Sequence, residues 1–241
     1  MVRGIFLVHA QEICPGLIGG HANAESEKKS RARPRARKRE AAMNRTFFDA
    51  VETRRSCYAL SGESPVSDAD IRRIIERAVM HAPSAFNSQS SRLVLLKGDE
   101  HAALWKIAMD ALRAIVPADA FAATEAKITS FAAAYATILY FEDQDTVKGL
   151  QEKFPSYAHN FPVWSNQHSG ILQFIIWTAL ADAGLGASLQ HYNELIEDAV
   201  KKRWDLPQNW KLIAQMPFGT VCDAPGDKDF LPMETRLRVL G

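Results

Sequence analysis

The sequence predicts an α+β fold, and three observations support this prediction. Short apolar runs at 93–96, 136–141 and 210–218 have the length and composition of buried strands. Helical segments lie between these runs, but helices and strands do not alternate regularly. The chain has 241 residues, of which 47% are hydrophobic and 24% charged, so it is long enough to bury a core without disulfides or metals.

The first predicted elements are two helices joined by a turn. Asn44 is the expected cap of the first helix, which carries Phe47 and Phe48 on its apolar face and ends near residue 55. Ser67 begins the second helix in a sequence that resembles a capping box, and Pro83 closes it.

The remaining elements follow from the same signals. A polar loop at 84–91 leads into the first strand, and a helix is expected at 100–115. Residues 142–166 are mixed and predict a partly helical excursion, 195–204 a surface helix, and 219–241 an extended tail.

The segment 167–183 is the most hydrophobic helix of the chain, and Gly184 stops it. Apolar residues surround it almost completely, which is typical of a helix buried on all sides. It is therefore expected either in the centre of the core or at a subunit interface.

The charge distribution separates residues 1–42 from the rest. This part has nine basic and four acidic residues, whereas the remainder has 20 basic and 24 acidic. We expect a disordered basic extension at 1–42 and a folded domain at 43–241. The run 31–39 leaves nucleic-acid or membrane-surface binding as a less favoured alternative, and the apolar part of 1–24 is too short for a typical signal peptide. No stretch is long enough to cross a bilayer, and a cytoplasmic location is expected.

Several short motifs carry polar groups suited to a ligand. Arg54, Arg55 and Ser56 offer guanidinium and hydroxyl donors for a phosphate. Asn87 and Gln89 present amides that can bind the edge of a planar heterocycle. The pattern contains no metal-ligand spacing, no catalytic triad signature and no dinucleotide fingerprint, since the Gly-Leu-Gly sequence at 184–186 follows a helix. Those glycines either stop the helix or let backbone approach a ligand.

Taken in order, four segments resemble the nitroreductase-like FMN-dependent oxidoreductases. They are 54–56, 82–89, the helix leading into 184–186, and the phrase 186–193, which is similar to the compact branch of the family found in yeasts and some bacteria. The resemblance implies an α+β sandwich with a mixed or antiparallel sheet of about four or five strands. It also implies a homodimer with the apolar helix at its interface and FMN bound by residues of both chains.

The resemblance assigns eight residues to the cofactor: Arg54, Arg55, Ser56, Asn87, Gln89, Gln190, His191 and Lys228. The arginine–serine segment and the lysine would hold the phosphate and ribityl side. The loop amides would lie near the ring and ribityl chain, and the backbone at 190–191 would face the isoalloxazine, where an N–H can reach N5.

The chain departs from the family pattern at several positions. Phe230 stands where a second basic residue is common, and Arg236 and Arg238 are candidates to replace it. Tyr58 also replaces a basic residue, and a serine pair at 90–91 replaces the usual Pro-Trp. Arg92 either adds positive charge near the ring or simply begins the strand.

The implied activity is a ping-pong oxidoreductase that takes reducing equivalents from NAD(P)H and passes them to a nitroaromatic, quinone or similar acceptor. No protein acid or base is required, and no metal is expected. An alternative is a flavin-binding sensor or regulatory protein with incidental activity. Four aromatic residues either line the acceptor pocket or pack in the core, and core packing is the favoured interpretation: Phe131, Tyr135, Phe161 and Trp164. Cys57 either has a pKa lowered by the arginines or is a small packing residue, and the latter is favoured.

Overall fold

The computed structural model describes residues 46–241, so the predicted extension at 1–42 and the predicted cap Asn44 lie outside it. Seven α-helices occur in this range: α1 Phe47–Thr53, α2 Asp68–His81, α3 Gly98–Arg113, α4 Phe121–Ala132, α5 Gln144–Lys153, α6 Phe161–Asp182 and α7 Asn193–Arg203. Five strands accompany them: β1 Leu60–Ser61, β2 Ser91–Lys97, β3 Ala136–Asp143, β4 Gly186–Ala187 and β5 Trp210–Val221.

The strands form one sheet in the order β1-β5-β3-β2, and β4 also pairs with β5. Every pairing is antiparallel, for example Leu95 opposite Ile138 and Ile138 opposite Met216. The predicted α+β class is confirmed, and of the two predicted sheet types the antiparallel one is observed.

Strand β3 lies at the centre of the fold, and its residues are buried from Ala136 to Glu142. Successive side chains point to opposite faces of a strand. Accordingly Ile138 and Tyr140 join a core cluster with α2 and α6, whereas Leu139 and Phe141 join a second cluster with α3, α4 and α7. The molecule is therefore a sheet covered by helices on both faces.

The first helix differs from the prediction in its cap and its packing. Thr46 caps it: the Thr46 hydroxyl accepts from the Asp49 N–H at 3.2 Å, and the Asp49 carboxylate accepts from the Thr46 N–H at 2.8 Å. Phe47 and Phe48, expected to be buried, are 68% and 69% exposed.

Helix α6 is longer and less uniformly apolar than predicted. It begins at Phe161 because Pro162 in its first turn is compatible with a helix start. One face carries buried polar residues, among them His168, Ser169 and Gln173. The other leaves Ile171 and Phe174 about 40% exposed. Burial on all sides is therefore wrong for the single chain, because the helix packs on the core with one face only.

Candidate functional site

Arg54 and Arg55 follow the end of α1 and contact different parts of the chain. The guanidinium of Arg54 lies 4.4 Å above the ring of Trp177 on α6, a cation–π contact. Nη2 of Arg55 donates to the carbonyl of Gly226 at 2.7 Å, which ties this segment to the C-terminal tail.

Neither guanidinium group has an acidic partner in the described part of the chain. Within residues 46–241 no carboxylate lies in ion-pair distance of either one, although other arginines such as Arg92 are paired. Burial lowers the pKa of Arg54, and the neighbouring charge of Arg55 lowers it further. Two adjacent, half-buried cations without a counter-charge are an arrangement that an anion would stabilise.

Ser56 is held next to the sequence that follows α6. It forms a parallel bridge with Ala187, and the N–H of Cys57 donates to the Ala187 carbonyl at 2.9 Å. The structure thus brings two of the predicted motifs, the arginine–serine segment and the glycine segment, into contact.

The two glycines of this segment have structural roles. Gly184, with φ +89°, ends α6 in a Schellman motif in which the Leu185 N–H donates to the Leu180 carbonyl. Gly186 is packed so tightly that a Cβ there would lie 2.9 Å from the Cβ of Cys57. Helix termination and packing therefore account for both positions.

Gln190 and His191 continue from β4 along the edge of β5. Gln190 exchanges both backbone hydrogen bonds with the buried Gln215, whose side-chain oxygen accepts from the Tyr192 N–H at 2.8 Å. The Gln215 amide donates onward to Asn193 at 2.7 Å. Residues 190–192 have three backbone N–H groups. Those of Gln190 and Tyr192 donate to Gln215, whereas that of His191 has no acceptor within residues 46–241. Gln215 lies in an apolar strand, and no local sequence pattern predicts its role.

A cavity of about 300 Å³ opens between Arg55, Cys57, the glycine segment and the tail near Pro225. Cys57 is 7% exposed, and burial raises the pKa of its thiol despite the adjacent arginines. Of the two interpretations of Cys57, the packing residue is confirmed and the lowered pKa is wrong.

The loop at 84–91 has an unusual backbone. Phe86, Asn87 and Gln89 adopt φ values of 55°, 51° and 48°, the left-handed region that non-glycine residues rarely occupy. The Gln89 N–H donates to the Ser84 hydroxyl at 3.1 Å. The side-chain amides of Asn87 and Gln89 are exposed and make no hydrogen bond within residues 46–241. The loop therefore presents two free amides on a strained backbone.

Residues after this loop hold it in place. Arg92 lies in β2, donates to the Gln89 carbonyl at 2.8 Å and pairs with Asp143 at 2.8 Å. The Asp143 carboxylate thus partly neutralises the charge of Arg92. Glu142 is fully buried and accepts hydrogen bonds from Ser90 and Ser91. The sequence does not predict it as a site residue.

The four aromatic candidates separate into different environments. Phe131 and Phe161 are buried, and Tyr135 donates to Asp68 at 2.5 Å, so core packing or local structure accounts for them. Trp164 is half-buried, and its ring stacks with that of Phe86 at a centroid distance of 6.0 Å.

Lys228 is exposed in the tail, and its Nζ lies 5.2 Å above the ring of Phe230. Lys228 makes no hydrogen bond with the arginine–serine segment within residues 46–241, although Arg55 contacts Gly226 two residues before it. Arg236 and Arg238, the predicted replacements for the basic residue missing at Phe230, are also exposed.

The site residues form two groups along α6. The first group contacts the helix at His168, which donates from Nδ1 to the Pro83 carbonyl at 2.9 Å and fixes the start of the 84–91 loop. The second group contacts the helix at Trp177, nine residues or about 14 Å further along the helix axis. It consists of Arg54, above Trp177, and the glycine segment that follows the helix. One chain therefore presents two separated half-sites.

Two further properties concern metals and membranes. Among residues 46–241 there is no group of three or more His, Cys, Asp or Glu side chains arranged to hold a metal ion. Within the same range, none of the helices has both the length and the apolar character needed to span a bilayer.

Comparisons with known proteins give a consistent result. The model of the nitroreductase family matches residues 51–220. The nitroreductase FRM2 of Saccharomyces cerevisiae is 34% identical over 190 residues, covering 77% of this chain and 93% of the relative. The nitroreductase CinD of Lactococcus lactis, solved in complex with nicotinic acid, is 47% identical with a TM-score of 0.76, covering 81% of this chain and all of that one. It was also solved with chloramphenicol and with 4-nitrophenol. A protein of Exiguobacterium sibiricum solved in complex with FMN shares the fold, with a TM-score of 0.62 at 15% identity over 81% of this chain and 98% of that one.

Proposed function

This chain belongs to the nitroreductase family, and on that basis we propose that it is an FMN-dependent oxidoreductase of the nitroreductase type. We propose that it uses NAD(P)H in a ping-pong cycle and reduces nitroaromatic, quinone or related small acceptors. Bound FMN would supply the two-electron chemistry, because flavins accept hydride from nicotinamides and pass electrons to such acceptors.

The observation that carries this proposal is the pair of uncompensated guanidinium groups at Arg54 and Arg55. They adjoin the Ser56 hydroxyl and lack a carboxylate partner within the described chain. A phosphate monoester needs charge-assisted donors and a short neutral donor, which are the groups available here. We assign the FMN phosphate to these residues, and we propose that Lys228 of the tail contributes to it.

The ring end of FMN is assigned to the two other motifs. The backbone N–H groups of Gln190 and Tyr192 already donate to Gln215, so the His191 N–H is the candidate donor to the flavin N5. The free amides of Asn87 and Gln89 are suited to the polar edge of the ring and to the ribityl hydroxyls.

The separation of the half-sites supports a homodimer. The 84–91 loop and the arginine–serine segment contact α6 about 14 Å apart along its axis, so a two-fold pairing of antiparallel α6 helices would place the loop of one chain beside the arginines of the other. The apolar side chains exposed on α6 at Ile171 and Phe174 provide the surface for that pairing.

A test begins with the visible spectrum of the full-length purified protein after addition of FMN. We expect flavin absorption that stays with the protein through gel filtration and bleaches when NADH or NADPH is added without oxygen. Addition of 4-nitrophenol or a benzoquinone should then restore the absorption. A protein that binds no FMN would refute the proposal, and one that binds FMN but is not reduced would favour the sensor alternative.

A variant pair tests the phosphate assignment. Arg54→Ala should weaken FMN binding by about tenfold or more, as expected when a hydrogen bond to a charged group is lost. Arg73→Ala on α2 is the matched control, since Arg73 is exposed and pairs only with its helix neighbour Asp70 in the described chain. Equal FMN affinity of both variants would argue against the phosphate position.

A further inference from the structure

Glu142 occupies a position where a carboxylate is unexpected. Ile138, Tyr140 and Glu142 alternate along β3 and point to the face of the sheet that α6 covers. The Glu142 side chain is 0% exposed. No basic side chain within residues 46–241 pairs with it. Burial of a charge without a counter-ion is unfavourable, and an apolar residue would serve packing better.

Three serine hydroxyls compensate this carboxylate. Ser90 donates to Oε2 at 2.5 Å and Ser165 of α6 donates to the same oxygen at 2.7 Å, while Ser91 donates to Oε1. Each serine has a single hydroxyl proton, so all three are oriented by one side chain. Two of these serines end the 84–91 loop, and the third belongs to the helix beneath it.

The 84–91 loop needs such an anchor because its backbone is strained. Left-handed φ values at non-glycine residues persist only where surrounding contacts fix them. Gln89, with φ 48°, directly precedes Ser90, whose carbonyl accepts from the Asp143 N–H at 2.9 Å. Glu142 and Asp143 therefore bind the loop through consecutive residues of β3.

We propose that Glu142 is a positioning residue for the flavin: through Ser90, Ser91 and Ser165 it fixes the loop that presents the Asn87 and Gln89 amides. This inference rests on the proposed FMN function. It assigns no contact between Glu142 and the cofactor, because the carboxylate is enclosed by the serines.

The experiment measures two properties of Glu142→Gln, a substitution that keeps size and removes charge. The first is the FMN dissociation constant, from quenching of flavin fluorescence, which we expect to rise about tenfold. The second is amide hydrogen exchange of residues 84–91 in the protein without FMN, which should become faster. Ser90→Ala should raise the FMN dissociation constant and speed exchange in the same way. In the double variant with Glu142→Gln, the two effects should be less than additive, because both act on the same hydrogen bond.

Thr137→Val is the matched control. Thr137 is also fully buried in β3 and accepts from Trp105 at 3.0 Å, but it lies at the other end of the strand, away from the loop. It should lower global stability without changing FMN affinity or exchange in 84–91. If Glu142→Gln does not fold, Ser165→Ala, which removes only the donor from α6, serves for the same two measurements.

The outcomes separate this inference from the function on which it rests. A wild-type protein that binds no FMN refutes both. Binding by the wild type, with an FMN dissociation constant in Glu142→Gln changed by less than about twofold, refutes the positioning role alone. Unchanged exchange in the 84–91 loop also refutes it, and an equal loss of affinity in Thr137→Val would show a general effect of destabilisation.

Discussion

Gly186→Ala should destabilise the protein because the structure leaves no space for a methyl group there. A Cβ on Gly186 would lie 2.5 Å from Cγ2 of Val221 and 2.9 Å from the Cβ of Cys57. Carbon atoms in contact prefer about 3.5–4.0 Å. The end of Val221 can rotate away, but the Cβ of Cys57 moves only with its backbone, which is hydrogen-bonded to Ala187.

Overpacking of this kind costs about 1–3 kcal/mol, and the fixed Cβ of Cys57 places the expectation for Gly186→Ala in the upper half of that range. Gly184→Ala is the matched comparison two residues earlier. Its Cβ would meet nothing within 4 Å, but φ is +89°, so backbone strain of about 1–2 kcal/mol is expected instead. Only Gly186→Ala should displace the Ser56 segment, and so only this variant should also weaken FMN binding.

The assay is urea unfolding of both variants, repeated with Val221→Ala added. Removing Cγ2 of Val221 should restore part of the stability of Gly186→Ala and none of that of Gly184→Ala. A Gly186→Ala protein within about 0.5 kcal/mol of wild type would refute the packing argument, since that is the range of neutral surface substitutions. Failure of Val221→Ala to restore any stability would refute the identity of the clash.

Three further predictions concern the core and the exposed helix face. Burial lowers the pKa of His101, whose ring hydrogen-bonds to Thr137, so the folded state binds fewer protons than the unfolded state. The contribution of His101 to the free energy of unfolding should therefore be fully present above the unfolded pKa of about 6.5 and be lost as the pH falls from there toward the folded pKa. Urea unfolding of His101→Gln should show a smaller decline than the wild type, and the remaining decline includes that of His191, whose pKa is also lowered by burial. Lys201→Ala should lower the free energy of unfolding by about 1–3 kcal/mol, because it leaves the Gln208 carbonyl without its donor while the partly exposed Glu197 keeps its hydrogen bond from the Leu212 N–H; a loss below about 0.5 kcal/mol in urea unfolding would mean that the ion pair contributes as little as a surface one. Ile171→Glu should convert the proposed homodimer into monomers in sedimentation equilibrium and abolish FMN binding, whereas a dimer that persists would place the interface elsewhere.

The sequence could predict the main strands because β3 and its neighbours are nearly continuous apolar runs. It could not predict α4, where alanine and polar residues give little periodicity, or the two-residue strands β1 and β4, which are too short to have any. The predicted start of α6 is too late, because Pro162 and the surrounding aromatics are typical of an irregular segment.

The site was predictable only where a motif is local. Adjacent arginines and loop amides are visible in the sequence, and the contact of Ser56 with Ala187 brings the arginine–serine segment to the glycine segment. Glu142 and Gln215 are different, because each obtains its role from partners far away in the sequence. Their hydrogen bonds depend on strand register and helix packing, which no local pattern encodes.

The left-handed φ values at Phe86, Asn87 and Gln89 place backbone strain in the 84–91 loop. Glycine at position 87 or 89 would adopt the observed φ without steric strain, at the expense of a more flexible unfolded chain. Natural proteins commonly have lower stability at positions where a side chain serves activity. Glycine substitution at these two positions therefore tests whether the proposed FMN affinity is exchanged for heat resistance.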